Sequence, residues 1–114
     1  MDIETTVADL KEEVEQFVSE RDWAQFHSPK NLSMALAIEA SELMDLFKWN
    51  TVEESKEIMA TTDIKESATD ELADILIYSI AFANRNKIDI SDAIKNKITK
   101  NELKYPVKQY KGKF

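Results

Sequence analysis

Two stretches constrain this chain more than anything else in it. Residues 32–47, LSMALAIEASELMDLF, and residues 68–83, ATDELADILIYSIAFA, are apolar at helical spacing, yet each carries two carboxylates three positions apart. Positions three apart on an α-helix project from one face. Leu32, Leu36, Glu39, Leu43 and Leu46 form the i, i+3/i+4 row expected to meet a core, so Glu39 stands where a leucine is usual. Glu42 lies beside it, and Glu71 with Asp74 repeats the anomaly in the second stretch. Acids set beside buried surface repel one another and resist desolvation unless a positive charge compensates.

Neither stretch carries an Arg or Lys that could serve. Two such helices joined by a short crossover pack antiparallel, which lets Glu39, Glu42, Glu71 and Asp74 face each other. The common remedy for four facing carboxylates is a hard divalent cation held by oxygen. Mg²⁺ suits this donor set, and the absence of Cys with a single His, His27, disfavours Zn²⁺. A di-iron carboxylate bundle is the second possibility, but it wants Glu-x-x-His pairs, and neither helix contains a histidine. The third is a non-catalytic helical interaction module whose acidic cluster is solvated.

The rest of the chain fits an all-α, four-helix bundle-like subunit. One Gly and two Pro in 114 residues argue against a turn-rich β fold. Helix one is expected over residues 3–21, from the row Ile3, Val7, Leu10, Val14, Phe17 and Val18. The segment DWAQFHSPKN follows, with Pro29 closing it. Its Trp23 and Phe26 either seal the core or stack on a flat ligand, and composition alone favours sealing. Helix two is expected from about Asn31, with Asn31 or Ser33 as N-cap, to Phe47. Thr51 and Glu54 have the spacing of a capping box for a short helix over 52–59. Helix three is expected from 63 or 64 to 84 or 85, its apolar rows including Leu72 and Leu76. Helix four starts after Ser91 as N-cap and stops before Tyr105-Pro106. The domain then spans 1–105, and 106–114 is a tail.

A formal net charge of −7 makes nucleic acid a poor partner. The basic residues nonetheless concentrate late, with Lys95, Lys97, Lys100, Lys104, Lys108, Lys111 and Lys113 against the single acid Glu102. They form either a solvated face or a place for a small anion. No apolar run approaches the ~18 residues of a membrane span. No basic-then-apolar leader precedes the first helix, and a Cys-free composition fits the cytoplasm. Helices this few bury a modest core and would gain from an oligomer.

In Arg21-Asp-Trp-Ala-Gln-Phe-His27, Pro29, Asn31-Leu32, the Glu39/Glu42 pair leading to Leu46-Phe-Lys-Trp49, Asp70-Glu-Leu-Ala-Asp-Ile-Leu-Ile-Tyr78, and Lys97, Asn101 and Tyr105-Pro106, the chain resembles the all-α nucleoside triphosphate pyrophosphohydrolases of the MazG-like superfamily, in their dCTP pyrophosphatase branch. The resemblance runs from about Leu10 to Tyr105. It implies Mg²⁺-dependent hydrolysis of a nucleoside triphosphate to monophosphate and pyrophosphate, serving nucleotide clearance. It implies a homodimer or dimer-of-dimers tetramer with active sites near subunit contacts. It makes Glu39, Glu42, Glu71 and Asp74 the metal ligands and catalytic acids. It matches Trp23, Trp49 and Tyr78 to positions that contact the nucleotide and makes Lys97 and Asn101 candidates for the phosphate chain; Phe26 and His27 complete the expected substrate-binding set. Two departures stand out: Val14 occupies the place of a base-reading His, and the segment between Trp49 and helix three is shorter.

Overall fold

A computed structural model describes residues 1–113. Five helices of seven or more residues follow one another: α1 (Val7–Glu20), α2 (Pro29–Asp45), α3 (Val52–Ile58), α4 (Thr62–Arg85) and α5 (Ile90–Lys104); a single turn, α6 (Val107–Tyr110), ends the described chain. No strand occurs among the described residues. Phe114, the last residue of the expected tail, lies outside them.

Side chains that bind free backbone N–H groups set the helix starts. Thr6 and Asp9 form a reciprocal capping box, so α1 begins at Val7 and Ile3 is left 91% exposed rather than joining the apolar row. Helix α2 begins two residues earlier than expected. Ser28, not Asn31 or Ser33, accepts from the Asn31 N–H at 3.1 Å, and Pro29 opens the helix instead of closing the loop. Proline suits the first helical position because its missing N–H would be unpaired there. The Thr51/Glu54 capping box starts α3 as expected. Asp89 rather than Ser91 caps α5, accepting from the Asp92 N–H at 2.8 Å. Beyond Pro106 the tail makes the α6 turn, and Tyr110 meets Tyr105 edge-on at 5.2 Å.

Helix α1 ends in a turn that matters for the site. Asp22 adopts φ +53°, its N–H donates to the Ser19 carbonyl, and the Trp23 N–H donates to the Val18 carbonyl. This pair of hydrogen bonds around a left-handed residue is a Schellman ending. It folds Trp23 back onto Phe17, with ring centroids 5.6 Å apart in a T-shape. Arg21 covers the other aromatic partner, its guanidinium 3.7 Å from the Phe17 centroid.

The core lies where α1, α2 and α4 meet. Val14, Val18, Leu32 and Ala81 are buried together, with Ala24, Tyr78, Ile80 and Phe82 packed around them. Leu32 is 1% exposed. Helix α1 is pinned to the end of α4 by polar contacts as well. Asn84 Nδ2 donates to the Lys11 carbonyl, Lys11 Nζ donates to the Ile88 carbonyl, each at 2.9 Å, and Arg85 pairs with Glu15.

The fourth long helix does not complete a bundle within one chain. Helix α5 buries no residue and leaves Ile94, Ile98 and Leu103 exposed. On α4, Leu72 and Leu76 also face outward, about half exposed. The radius of gyration is 17.1 Å, against roughly 13 Å for a compact chain of this length. The accessible surface is 9330 Å², about 2,900 Å² more than a folded monomer of this mass exposes.

Candidate active site

Helices α2 and α4 pack against each other more extensively than any other pair. Leu32 shares the core with Ala81, while Glu39 meets Glu71 further along. Residue numbers rise on one helix as they fall on the other, so the two run antiparallel, as expected. The inward row of α2 is Leu32, Leu36, Glu39, Leu43 and Leu46, each buried or half-buried. Seven residues separate Glu39 from Leu32, about 10 Å along the axis. The acids therefore sit beyond the apolar core, yet within the same helix seam.

One oxygen from each of Glu39, Glu42 and Glu71 lies within 4.8 Å of the others. Glu39 and Glu71 are half-buried, and the Oε2 atom of each is sealed from solvent without a hydrogen-bond partner. A solvated acidic face does not describe these two residues. Unpaired buried acceptors carry a desolvation cost that a bound cation would relieve. Burial pushes the Glu39 carboxyl up to about 7, helped by hydrogen bonding with Glu42 and by the charges of Glu42, Asp74 and Glu71. Glu71 moves in the same direction, first through burial and then through Glu42 and Asp74. With three converging oxygens and no cationic side chain in either seam, the donor set fits a hard divalent ion such as Mg²⁺.

Asp74 stands outside that triad. It lies on the wall of an adjoining cavity of about 190 Å³, together with Phe17, Val18, Trp23, His27, Ile77, Tyr78 and Ala81. The cavity thus touches the acid cluster through Asp74 and is otherwise largely apolar and aromatic. Trp23 is 42% exposed, so the preference for core sealing from composition fails there; its ring forms a wall instead. Phe26 fails it more fully at 58% exposed, and it does not line the cavity. The carbonyl of Phe26 instead accepts from Asn31 Nδ2 at 2.9 Å, tying the turn at 24–26 to α2.

Three other expected residues are not brought to the cluster within one chain. Trp49 is 88% exposed beyond the end of α2, with Lys48 Nζ 5.4 Å from its ring and paired to Asp45. Lys97 and Asn101 ride on α5, which packs extensively on neither α2 nor α4. The residues that sequence reasoning missed are Phe17, Val18, Ile77 and Ala81. Ile77 and Ala81 lie three and seven positions after Asp74, a spacing that offered a signal; Phe17 enters through the turn that ends α1.

A second, wider groove of about 410 Å³ runs between α1 and α4, lined by Leu10, Glu13, Val14, Phe17, Ala73, Leu76, Ile77 and Ile80. Phe17 and Ile77 line both hollows.

A family model described as MazG-like matches residues 34–113, which include both acidic pairs. The chain belongs to the MazG-like family. It is 38% identical over 109 residues to a dCTP pyrophosphatase 1 of Bos taurus, covering 96% of this chain and 64% of that protein. It is 38% identical over 103 residues to the Homo sapiens dCTP pyrophosphatase 1, covering 90% and 61%. The MazG-like chain thus spans a little under two thirds of the curated relatives it matches. The structure superposes on a pyrophosphatase from Archaeoglobus fulgidus with a TM-score of 0.81 at 34% identity, covering 87% of this chain and 91% of the other. No helix among the described residues is long and apolar enough to cross a membrane.

Proposed function

We propose that this MazG-like chain hydrolyses nucleoside triphosphates to the monophosphate and pyrophosphate with Mg²⁺, taking dCTP-like substrates and clearing nucleotides in the cytoplasm. The observation that carries the reading is the pair of sealed, unpartnered oxygens of Glu39 and Glu71 beside an aromatic cavity. Glu39, Glu42 and Glu71, with Asp74 at their edge, would hold the ion. When bound, Mg²⁺ supplies the positive charge that lets a triphosphate approach these carboxylates.

The chain's own residues do the rest. Trp23 and Tyr78 offer flat surfaces for a base, with His27 on the same wall. The base in the cavity and the phosphates toward the triad would meet at Asp74. A triad carboxylate with an oxygen not used as a ligand, on Glu39 or Glu42, accepts the proton of the attacking water while the α–β phosphoanhydride breaks. Lys97 and Asn101 then stabilise the departing pyrophosphate. Both come from a second copy of the chain, as does Trp49 at the nucleoside.

Self-association is part of the proposal. The 410 Å³ groove between α1 and α4 and the uncovered stripe of α5 are the surfaces for it. A standard interface buries about 800 Å² per partner, well within the excess surface of the single chain.

The test is product identification. Each dNTP is incubated with the protein and Mg²⁺, and the products are resolved by chromatography. Monophosphate with pyrophosphate is the expected outcome; diphosphate with orthophosphate, or no turnover on any dNTP, refutes the reading.

A further inference from the structure

Ser28 caps α2, so the Asn31 side chain has no part in starting that helix. Its Nδ2 reaches back instead and donates to the Phe26 carbonyl at 2.9 Å. The Phe26 N–H donates to the Trp23 carbonyl at 2.9 Å, and the Trp23 N–H donates to the Val18 carbonyl at 3.1 Å. These bonds run in one line from α1, through the turn, to α2. Among the described residues, the Asn31 amide makes the only hydrogen bond between α2 and residues 22–27.

That line passes through the wall of the smaller cavity, to which Trp23 belongs. Glu39 lies on the same helix as Asn31, about 12 Å further along its axis. A helix does not stretch, so a wall fastened at Asn31 keeps its spacing from the acid triad. Without the bond the turn is held by α1 alone, and a ligand must order the wall as it binds, which costs affinity. Asn31 is exposed, so the loss should be several-fold rather than thousandfold.

We propose that Asn31 is a positioning residue for nucleotide binding, its amide fastening the aromatic wall of the cavity to the helix that bears Glu39 and Glu42. It acts through Trp23 rather than on the ligand. The assignment rests on the nucleotide reading of the cavity and adds to it the bond that fixes the cavity's distance from the acids.

The test compares the wild-type protein with N31A and N31D. An ionised Asp keeps the size of Asn but donates no hydrogen bond, and in the first turn of α2, which holds no acid, it favours the helix start. Binding of dCMP, dTMP, dAMP and dGMP is measured by isothermal titration without metal. Both variants should bind the best of the four about three- to tenfold more weakly, and their Phe26 and His27 amides should exchange with deuterium faster. N31D should melt no lower than the wild type, and Mg²⁺ affinity should stay within about twofold in both. On a triphosphate that the wild type hydrolyses, KM should rise by the same factor with kcat nearly unchanged. Wild-type affinity in either variant, unchanged exchange in the turn, a fall in kcat at constant KM, or a wild-type protein that binds none of the four overturns the assignment. If N31A fails to fold, as read by circular dichroism, N31D decides, because exchange in the turn separates a lost bond from an added charge. A wild-type protein that binds a monophosphate yet hydrolyses no triphosphate strikes the hydrolase reading alone.

Discussion

Proton release on metal binding gives the sharpest prediction. Glu39 has its carboxyl raised to about 7 by burial and by its acidic neighbours. A ligand oxygen must be deprotonated to take a cation, so protons compete with Mg²⁺. For one group with that value, apparent affinity falls about twofold at pH 7, about tenfold at pH 6 and about a hundredfold at pH 5, relative to the alkaline limit. Glu71 is raised too, so the single-proton figures are a floor for the steepness. Isothermal titration of the metal-free protein with Mg²⁺ measures this directly. Repeating it at pH 6 in two buffers of different ionisation enthalpy counts about 0.9 proton released per ion from this group alone. An affinity that is flat between pH 6 and pH 8, with no proton release, would refute the argument.

The same shift fixes the sign of a stability effect. The folded value lies above the ordinary 4.5, so the folded state binds the proton more tightly than the unfolded state. The contribution is fully present below pH 4.5 and is lost as pH rises through about 7. Metal-free protein should therefore melt at a lower temperature at pH 8 than at pH 6, and added Mg²⁺ should reverse that order. Glu39→Gln should remove most of the pH dependence while abolishing tight metal binding.

Three further outcomes follow from the packing. Leu32→Ala empties the most deeply buried side chain and should cost about 2–5 kcal/mol in chemical denaturation, with a loss below 1 kcal/mol contradicting the assigned core. Lys87 holds φ +53° after the end of α4, and Lys87→Gly should stabilise the fold by about 0.5–1 kcal/mol by relieving the left-handed strain; no rise in melting temperature would count against it. Leu76→Glu places a charge in the groove between α1 and α4 and should shift sedimenting species toward the single chain, whereas an unchanged distribution would move the interface elsewhere.

The helices and their pairing were legible because period and charge act locally. Apolar rows broken by Glu39 and Glu71 announced two helices that had to face each other, and the capping box at Thr51 announced α3. What escaped depends on partners distant in the chain. Leu72 and Leu76 belong to an apolar row, but one chain supplies nothing to cover them, so periodicity alone assigned them inward. The pairing of Glu15 with Arg85 and of Lys11 with the Ile88 carbonyl joins residues seventy or more positions apart, and no local pattern reports it. Asp74 looked equivalent to the other three acids, since spacing gives the helix face but not which carboxylate oxygens converge. Ser28 escapes notice as a cap because Pro29 resembles a stop, although proline serves equally well as a beginning.

Phe17 and Ile77 form a common partition between the smaller cavity beside Asp74 and the wider groove on the other side. Such a partition has two faces and one thickness. Trimming either side chain enlarges both spaces together, and enlarging either side chain narrows both. If the cavity takes the nucleotide and the groove a second chain, as proposed, a drifting sequence cannot revise one through these two positions without revising the other.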